Sequence, residues 1–72
     1  MINFVITSDD KYLLGNSEIS AEQLEQVISE QAKTMLAWVL IQTDEYSTHG
    51  AIVKLMDSAR NAGVTNISVV GL

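Results

Sequence analysis

The spacing of apolar residues predicts a strand-helix-strand unit in the second half of the chain. Trp38 to Ile41 form a short apolar run, typical of a strand that is covered on both faces and lies near the middle of a sheet. A second, uncharged strand is predicted at 67–70, after Gly63. Between the two, apolar residues recur at helical spacing: Ile52, Val53, Met56, Ala59 and Ala62. Strands joined by such a helix run parallel, through a right-handed crossover.

The first half of the chain predicts a β-hairpin followed by a helix. Ile2, Phe4 and Ile6 alternate with other residues at the two-residue period of a strand. Turn-forming residues at 8–11 separate this strand from a second one, Tyr12 to Leu14. Gly15-Asn16 turns the chain again, and Ser17 to Ile19 are a candidate for a brief edge strand, although three residues do not establish it.

Both helices carry recognisable end signals. Ser20 with Gln23 has the spacing of a capping box, and the buried stripe of this helix is predicted as Leu24, Val27, Ile28 and Ala32. Either Ser47 or Thr48 caps the second helix. Gly63 suits the left-handed position after this helix, where Val64 can contact Ala59.

These elements predict one α+β domain spanning residues 1–72. The expected order is β-β-α-β-α-β, with a mixed sheet of four to five strands and two helices packed on one face. The chain has no proline and no repeat that would divide it.

Composition and charge narrow the possible functions. Hydrophobic residues make up 47% and charged residues 18%, which is typical of a packed domain. The net charge of -5 repels phosphate backbones, so we do not expect nucleic acid as a partner. The absence of cysteine excludes disulfides and thiolate catalysis. No apolar run approaches the roughly 20 residues of a membrane-spanning helix.

Residues that could carry chemistry are few. Asp44 and Glu45 follow a predicted strand at the edge where open α/β sheets bind ligands, and His49, the only histidine, comes soon after. We interpret the two acids as complementing the dipole of the next helix, and His49 as a surface or boundary residue, because the chain has no zinc-type spacing.

The remaining candidates also favour a structural role. Lys54, Asp57 and Arg60 are spaced to form exposed ion pairs, and Trp38 is interpreted as core. The glycines are too dispersed for a phosphate-binding loop, and no G-x-S-x-G elbow occurs. We therefore predict no enzyme activity and no catalytic, cofactor-binding or metal-binding residue.

Several segments, in their order and spacing, carry a family likeness that covers nearly the whole chain. They are residues 10–16 (DKYLLGN), Ile19-Ser20 with Leu24, Asp44, residues 52–64 (IVKLMDSARNAGV) and residues 67–71 (ISVVG). Together they resemble the ExbD/TolR family.

The resemblance implies that residues 1–72 are the periplasmic domain of a single-pass protein of the bacterial inner membrane. Members of this family have an ExbB- or TolQ-like channel partner and use proton-motive force to energise TonB or TolA at the outer membrane. Their proton-carrying aspartate lies in the membrane helix, so the resemblance gives no residue here that role. TolR-like relatives add peptidoglycan as a further partner.

The uncharged last strand is the predicted contact surface. Sheet edges usually carry a lysine, a proline or an inward charge, and none occurs here. We therefore expect a homodimer that accepts an extended partner segment by strand addition, with Ile67, Val69 and Val70 in the contact. Val69 as an ordinary core residue is one alternative. Another is a regulatory module that binds a small molecule through Asp44, Glu45 and His49.

Overall fold

The computed structural model describes residues 1–34 and 37–72. The strands are β1 (Ile2–Ile6), β2 (Tyr12–Leu14), β3 (Ser17–Ile19), β4 (Trp38–Thr43) and β5 (Asn66–Gly71). The helices are α1 (Leu24–Ala32), preceded by a 3₁₀ turn at Ala21–Gln23, and α2 (His49–Asn61). The predicted α+β class is confirmed, and the brief strand at Ser17 is present.

The five strands form one mixed sheet in the order β3-β2-β1-β4-β5. The pairs β1–β2 and β2–β3 are antiparallel, whereas β1–β4 and β4–β5 are parallel. The parallel ladders align Ile2, Val39 and Ile67 in one row. The centre of the sheet is therefore β1, while β4 lies beside it and β5 forms an edge.

One face of the sheet and both helices enclose the core. The sheet contributes Ile2, Phe4, Ile6, Val39 and Ile41, the helices contribute Leu24, Ile28, Leu55 and Ala59, and all are fully buried. Right-handed crossovers that proceed in one direction, from β3 to β4 through α1 and from β4 to β5 through α2, place their helices on the same side. This confirms the prediction that both helices pack on one face.

The other face of the sheet, the open face, is not covered by α1 or α2. Two predictions are wrong here: within residues 1–34 and 37–72, helices cover β4 on one face only, and Trp38 is not a core residue. The side chain of Trp38 is 39% exposed and Leu40 is half-buried, whereas Val39 and Ile41 face the helices. The Trp38 indole N–H donates a 3.1 Å hydrogen bond to Ser68 Oγ, which fixes the ring across β4 and β5.

The helix starts differ from each other. Ser20 does not cap backbone N–H groups but donates its hydroxyl hydrogen to Gln23 Oε1 at 3.0 Å. The predicted capping box is therefore wrong, because the two side chains satisfy each other at the start of a 3₁₀ turn. Thr48 caps α2, where its Oγ accepts the Ala51 N–H at 3.3 Å. Ser47 instead donates to the carbonyl oxygen of Ile6 at 3.1 Å.

The end of α2 follows the predicted pattern, and four of the five apolar residues at helical spacing pack in or on the core. Gly63 has φ 88°, and the Val64 N–H donates to the Ala59 carbonyl at 2.9 Å, as in a Schellman motif. Within the helix, Leu55 is fully buried whereas Val53 is 37% exposed. Val53 is the exposed exception among the apolar residues at helical spacing, and the others belong to the core or pack against it: Ile52, Met56, Ala59 and Ala62.

Candidate docking edge at strand β5

Strand β5 is an apolar edge of the sheet. It pairs with β4 on one side, and no other described strand lies along its second side. Val69 and Val70 are each 44% exposed, and Leu72 beyond the strand is 69% exposed. No charged residue occurs from Gly63 to Leu72. This edge therefore lacks the usual protection against pairing.

The direction of the backbone groups follows from the hydrogen bonds to β4. The Leu72 N–H donates to the Thr43 carbonyl at 2.8 Å, and the Val70 carbonyl accepts from Thr43 Oγ at 3.5 Å. In an extended strand the N–H and C=O of one residue point to the same side, and successive residues alternate. Ile67, Val69 and Gly71 therefore turn their backbone groups away from β4 and toward a possible incoming strand.

The three predicted contact residues lie on this one strand but differ in orientation and exposure. Ile67 and Val69 align with buried Val39 and Ile41, so their side chains lie on the helix-covered side. Ile67 is half-buried and packs against the core, whereas Val69 extends past it into solvent. Val70 projects from the open face, and its backbone groups already face β4. An incoming strand would therefore bond to Ile67 and Val69 and contact the Val70 side chain only from the open face.

Strand β3, at the opposite edge of the sheet, is short and charged. Strand β3 has three residues, and its central residue, Glu18, is exposed. The Glu18 carboxylate lies 4.0 Å from the Lys11 ammonium group. A short, charged strand is poorly suited to pairing, so the two edges of this sheet are not equivalent.

The strand-end residues Asp44, Glu45 and His49 do not form a cluster. Asp44 Oδ1 accepts the Tyr46 N–H at 3.0 Å, which makes it part of the local turn, while Glu45 and His49 are exposed. A cleft of 620 Å³ lies elsewhere, between α1 and the β2–β3 hairpin, and is lined in part by Leu14, Val27 and Glu30. Within residues 1–34 and 37–72, no group of three His, Asp or Glu side chains could hold a metal ion.

An arrangement that the sequence did not reveal secures the first turn of α2. Asp10, with φ 61°, accepts hydrogen bonds from both the N–H and the hydroxyl of Thr48. The Tyr12 hydroxyl donates to the Ala51 carbonyl at 2.8 Å. Burial, and secondarily the negative charge of Asp10, raises the pKa of Tyr12. An aspartate in a turn can be recognised from the sequence, because this residue type tolerates positive φ. The sequence does not show that Asp10 contacts Thr48.

Comparison with known proteins agrees with this fold. Among the described residues, none of the helices has the length and hydrophobicity needed to span a bilayer. The search of curated proteins found no match. A family model described as biopolymer transport protein ExbD/TolR matches residues 1–71. Members of that family are inner-membrane, non-enzymatic proteins of energy-coupled biopolymer transport. Because the match spans almost all of the 72 residues, this chain belongs to the ExbD/TolR family.

Proposed function

We propose that this chain is the periplasmic domain of a single-pass inner-membrane protein that transmits proton-motive force to TonB or TolA. An ExbB- or TolQ-like channel is the proposed membrane partner. The family match supports this role. The domain contributes protein contacts to the process, and the proton chemistry takes place in the membrane part of the assembly.

The observation that carries the proposed mechanism is the free edge of β5. Its outward backbone groups at Ile67, Val69 and Gly71 offer hydrogen bonds to an added strand, each worth about 1 kcal/mol net. The exposed Val69 side chain adds apolar contact on the helix side of that strand. The domain therefore dimerises or accepts an extended segment of its partner at this edge.

Strand β3, at the other edge of the sheet, limits the size of the assembly that pairing at β5 can form. Two copies that join through β5 about a twofold axis leave their β3 strands outermost, and β3 is short and carries Glu18. Edges of this kind resist further addition. Pairing at β5 therefore ends in a closed dimer rather than a growing fibre.

The test uses substitutions at Val69 that distinguish the contribution of the backbone N–H to pairing from that of the side chain. Val69→Pro removes an outward N–H, and proline is tolerated on an edge strand where that group faces solvent. Val69→Lys keeps the N–H but places a charge in the contact. Val69→Thr, which keeps both the N–H and a β-branched side chain, is the matched control. Sedimentation over a range of concentrations measures self-association, and crosslinking measures capture of TonB or TolA.

We expect the proline and lysine variants to fold, by circular dichroism, but to lose self-association and crosslinking, while the threonine variant retains both. If folded Val69→Pro pairs and crosslinks as the unchanged chain does, β5 is not the docking edge. Sequencing the gene upstream of Met1 tests the cellular assignment separately. One spanning helix of about 20 residues with an acidic side chain supports it, and an upstream stop codon contradicts it.

A further inference from the structure

Two apolar residues of α2 lie on the side of the helix that is turned away from α1. Leu55 is fully buried and marks the side of α2 that faces the sheet. Because an α-helix turns by about 100° per residue, Ile52 and Met56 lie to one side of Leu55, and Asn61 lies to the other. Asn61 borders α1, where it lines a shallow cleft together with Lys33. Ile52 and Met56 are therefore on the far side of α2.

The far side of α2 is the side of strand β5. Helix α1 borders the β2–β3 hairpin, whereas α2 contacts α1 and β4. The helices thus follow the order of the strands across the sheet, and β5 is the strand that lies beyond α2. On β5, Ile67 and Val69 face the helix-covered side. These two residues and the pair Ile52 and Met56 border one groove, which we call the α2–β5 groove.

The α2–β5 groove is apolar and open to solvent. Ile52, Met56 and Ile67 are half-buried and pack against the core. The acidic residue of α2, Asp57, is turned about 200° from Leu55 and so faces away from the sheet. It forms the predicted ion pair with Arg60 at 3.5 Å. Methionine is common on surfaces that bind peptides, because its flexible side chain adapts to different partners.

A strand added at β5 would run along this groove. Its side chains alternate between the two faces of the sheet, so every second one points into the groove. Adjacent strands lie about 4.8 Å apart, which places the added strand roughly 10 Å from β4, the strand that α2 contacts. Long side chains span this distance to Met56, and short ones do not. On the other face, neither α1 nor α2 covers the sheet, so the intervening side chains meet solvent.

We propose that the α2–β5 groove selects partner segments that carry long apolar side chains at every second position. This inference rests on the proposed docking at β5 and specifies the chemistry of the partner. The backbone of β5 binds the backbone of the segment, while Ile52 and Met56 contact its apolar side chains. The intervening positions of the segment can be polar.

A second copy of the chain fits the α2–β5 groove less well. Two β5 strands joined about a twofold axis hold the two α2 helices about three strand spacings apart, or roughly 14 Å, whereas packed helices lie about 8–10 Å apart. Ile67 of the second copy packs against its own core, so that copy offers the groove only Val69 and Gly71. Each copy also carries a charge of -5, which opposes their approach. A segment with long apolar side chains covers the groove more completely.

Two short synthetic peptides test this selectivity. In both, threonine alternates with a second residue between terminal lysines, and this second residue is leucine in one peptide and alanine in the other. Fluorescence anisotropy of the labelled peptides measures their binding to the 72-residue chain. We expect the leucine peptide to bind at least about tenfold more tightly, because each leucine buries apolar surface that alanine lacks. Equal binding of the two peptides, or no binding of either, would overturn the proposal.

Substitutions on α2 locate the contact with leucine. Met56→Gln keeps the length and helix propensity of methionine but is polar. Val53→Thr, on the exposed side of the same helix, is the matched polar control. Ile52→Thr, one turn before Met56, tests the groove independently.

We expect Met56→Gln and Ile52→Thr, folded by circular dichroism, each to weaken binding of the leucine peptide about fivefold and to leave the alanine peptide unaffected. Val53→Thr should change neither. Equal losses in Val53→Thr and in either groove variant would show that leucine is not recognised by the groove.

Val69→Pro distinguishes this inference from the function proposed above. We expect it to bind neither peptide, because it lacks an outward N–H of β5. If both peptides bind the unchanged chain equally and Val69→Pro binds neither, the docking edge stands and the selectivity of the groove is refuted. If Val69→Pro binds the leucine peptide as the unchanged chain does, the docking edge and the groove are both wrong.

Sedimentation of the same mixtures identifies the occupant of the groove. We expect the leucine peptide to sediment with single copies of the chain. A chain that stays dimeric and binds no peptide would assign the groove to a second copy and overturn the proposal.

Discussion

The carboxylate of Asp10 holds Thr48 at both of its hydrogen-bond donors. Asp10 Oδ1 accepts the Thr48 N–H at 2.8 Å, and Oδ2 accepts the Thr48 hydroxyl at 2.7 Å. Thr48 Oγ in turn accepts the Ala51 N–H, so a residue of the β1–β2 turn organises the first turn of α2. Because α2 leads directly into β5, this contact helps to position the candidate docking edge.

Removing the Asp10 carboxylate should destabilise the domain. Asp10→Gly loses both hydrogen bonds but keeps the positive φ accessible, so we expect a loss of about 2 kcal/mol. Asp10→Ala adds the cost of positive φ, and should lose about 1 kcal/mol more. Urea unfolding of both variants measures these differences. Stability within error of the unchanged chain for Asp10→Gly would show that the contact with Thr48 contributes nothing.

Tyr12 should make stability fall at alkaline pH. Its pKa is raised in the folded chain by burial and, to a smaller extent, by Asp10. The neutral phenol is therefore favoured by folding, and its contribution is complete below the unfolded value of about 10 and is lost as pH rises through the higher folded pKa.

Melting temperatures between pH 8 and pH 11 test this dependence. Tyr12→Phe should flatten the alkaline decline, whereas Tyr46→Phe, at a side chain that is 74% exposed, should leave it unchanged. An identical decline in Tyr12→Phe and the unchanged chain would contradict the assignment to Tyr12.

Two glycines at opposite ends of α2 should respond to alanine in opposite directions. Gly63 follows the helix with φ 88°, so Gly63→Ala should lose about 1 kcal/mol from backbone strain. Gly50 lies inside the first turn with open space around its Cα, so Gly50→Ala should gain roughly 0.5–1 kcal/mol. Thermal unfolding compares the two, and a stabilised Gly63→Ala would show that the left-handed cap is not required.

Truncation of Leu55 and of Val53 tests which side of α2 faces the core. Leu55 is fully buried, so Leu55→Ala should lose about 2–5 kcal/mol, enough to unfold a domain of this size. Val53→Ala, at a position 37% exposed, should lose less than about 1 kcal/mol. Circular dichroism and urea unfolding measure both. A larger loss at Val53 than at Leu55 would contradict this orientation of α2.

The sequence by itself determined the local elements and several of their ends. Alternation identified β1, Gly15-Asn16 marked a turn, and apolar runs with helical spacing between them identified the parallel unit β4-α2-β5, because these signals are properties of neighbouring residues. The sequence also limited the N-cap of α2 to Ser47 or Thr48 and identified Gly63 as its left-handed C′ residue, since both act on backbone groups a few positions away. The lack of charge in the predicted strand 67–70 was also evident from the sequence.

The tertiary structure decided what lies above, below and beside each element. The sequence predicted Trp38 as a core residue. Both helices pack on the face of the sheet opposite to the Trp38 side chain, which is therefore partly exposed to solvent. The position of β5 at an edge, and the alternation that turns Ile67 and Val69 outward, depend on strand order. Asp10 and Thr48 are far apart in the chain, and only packing of the hairpin against α2 brings their polar groups within hydrogen-bond distance.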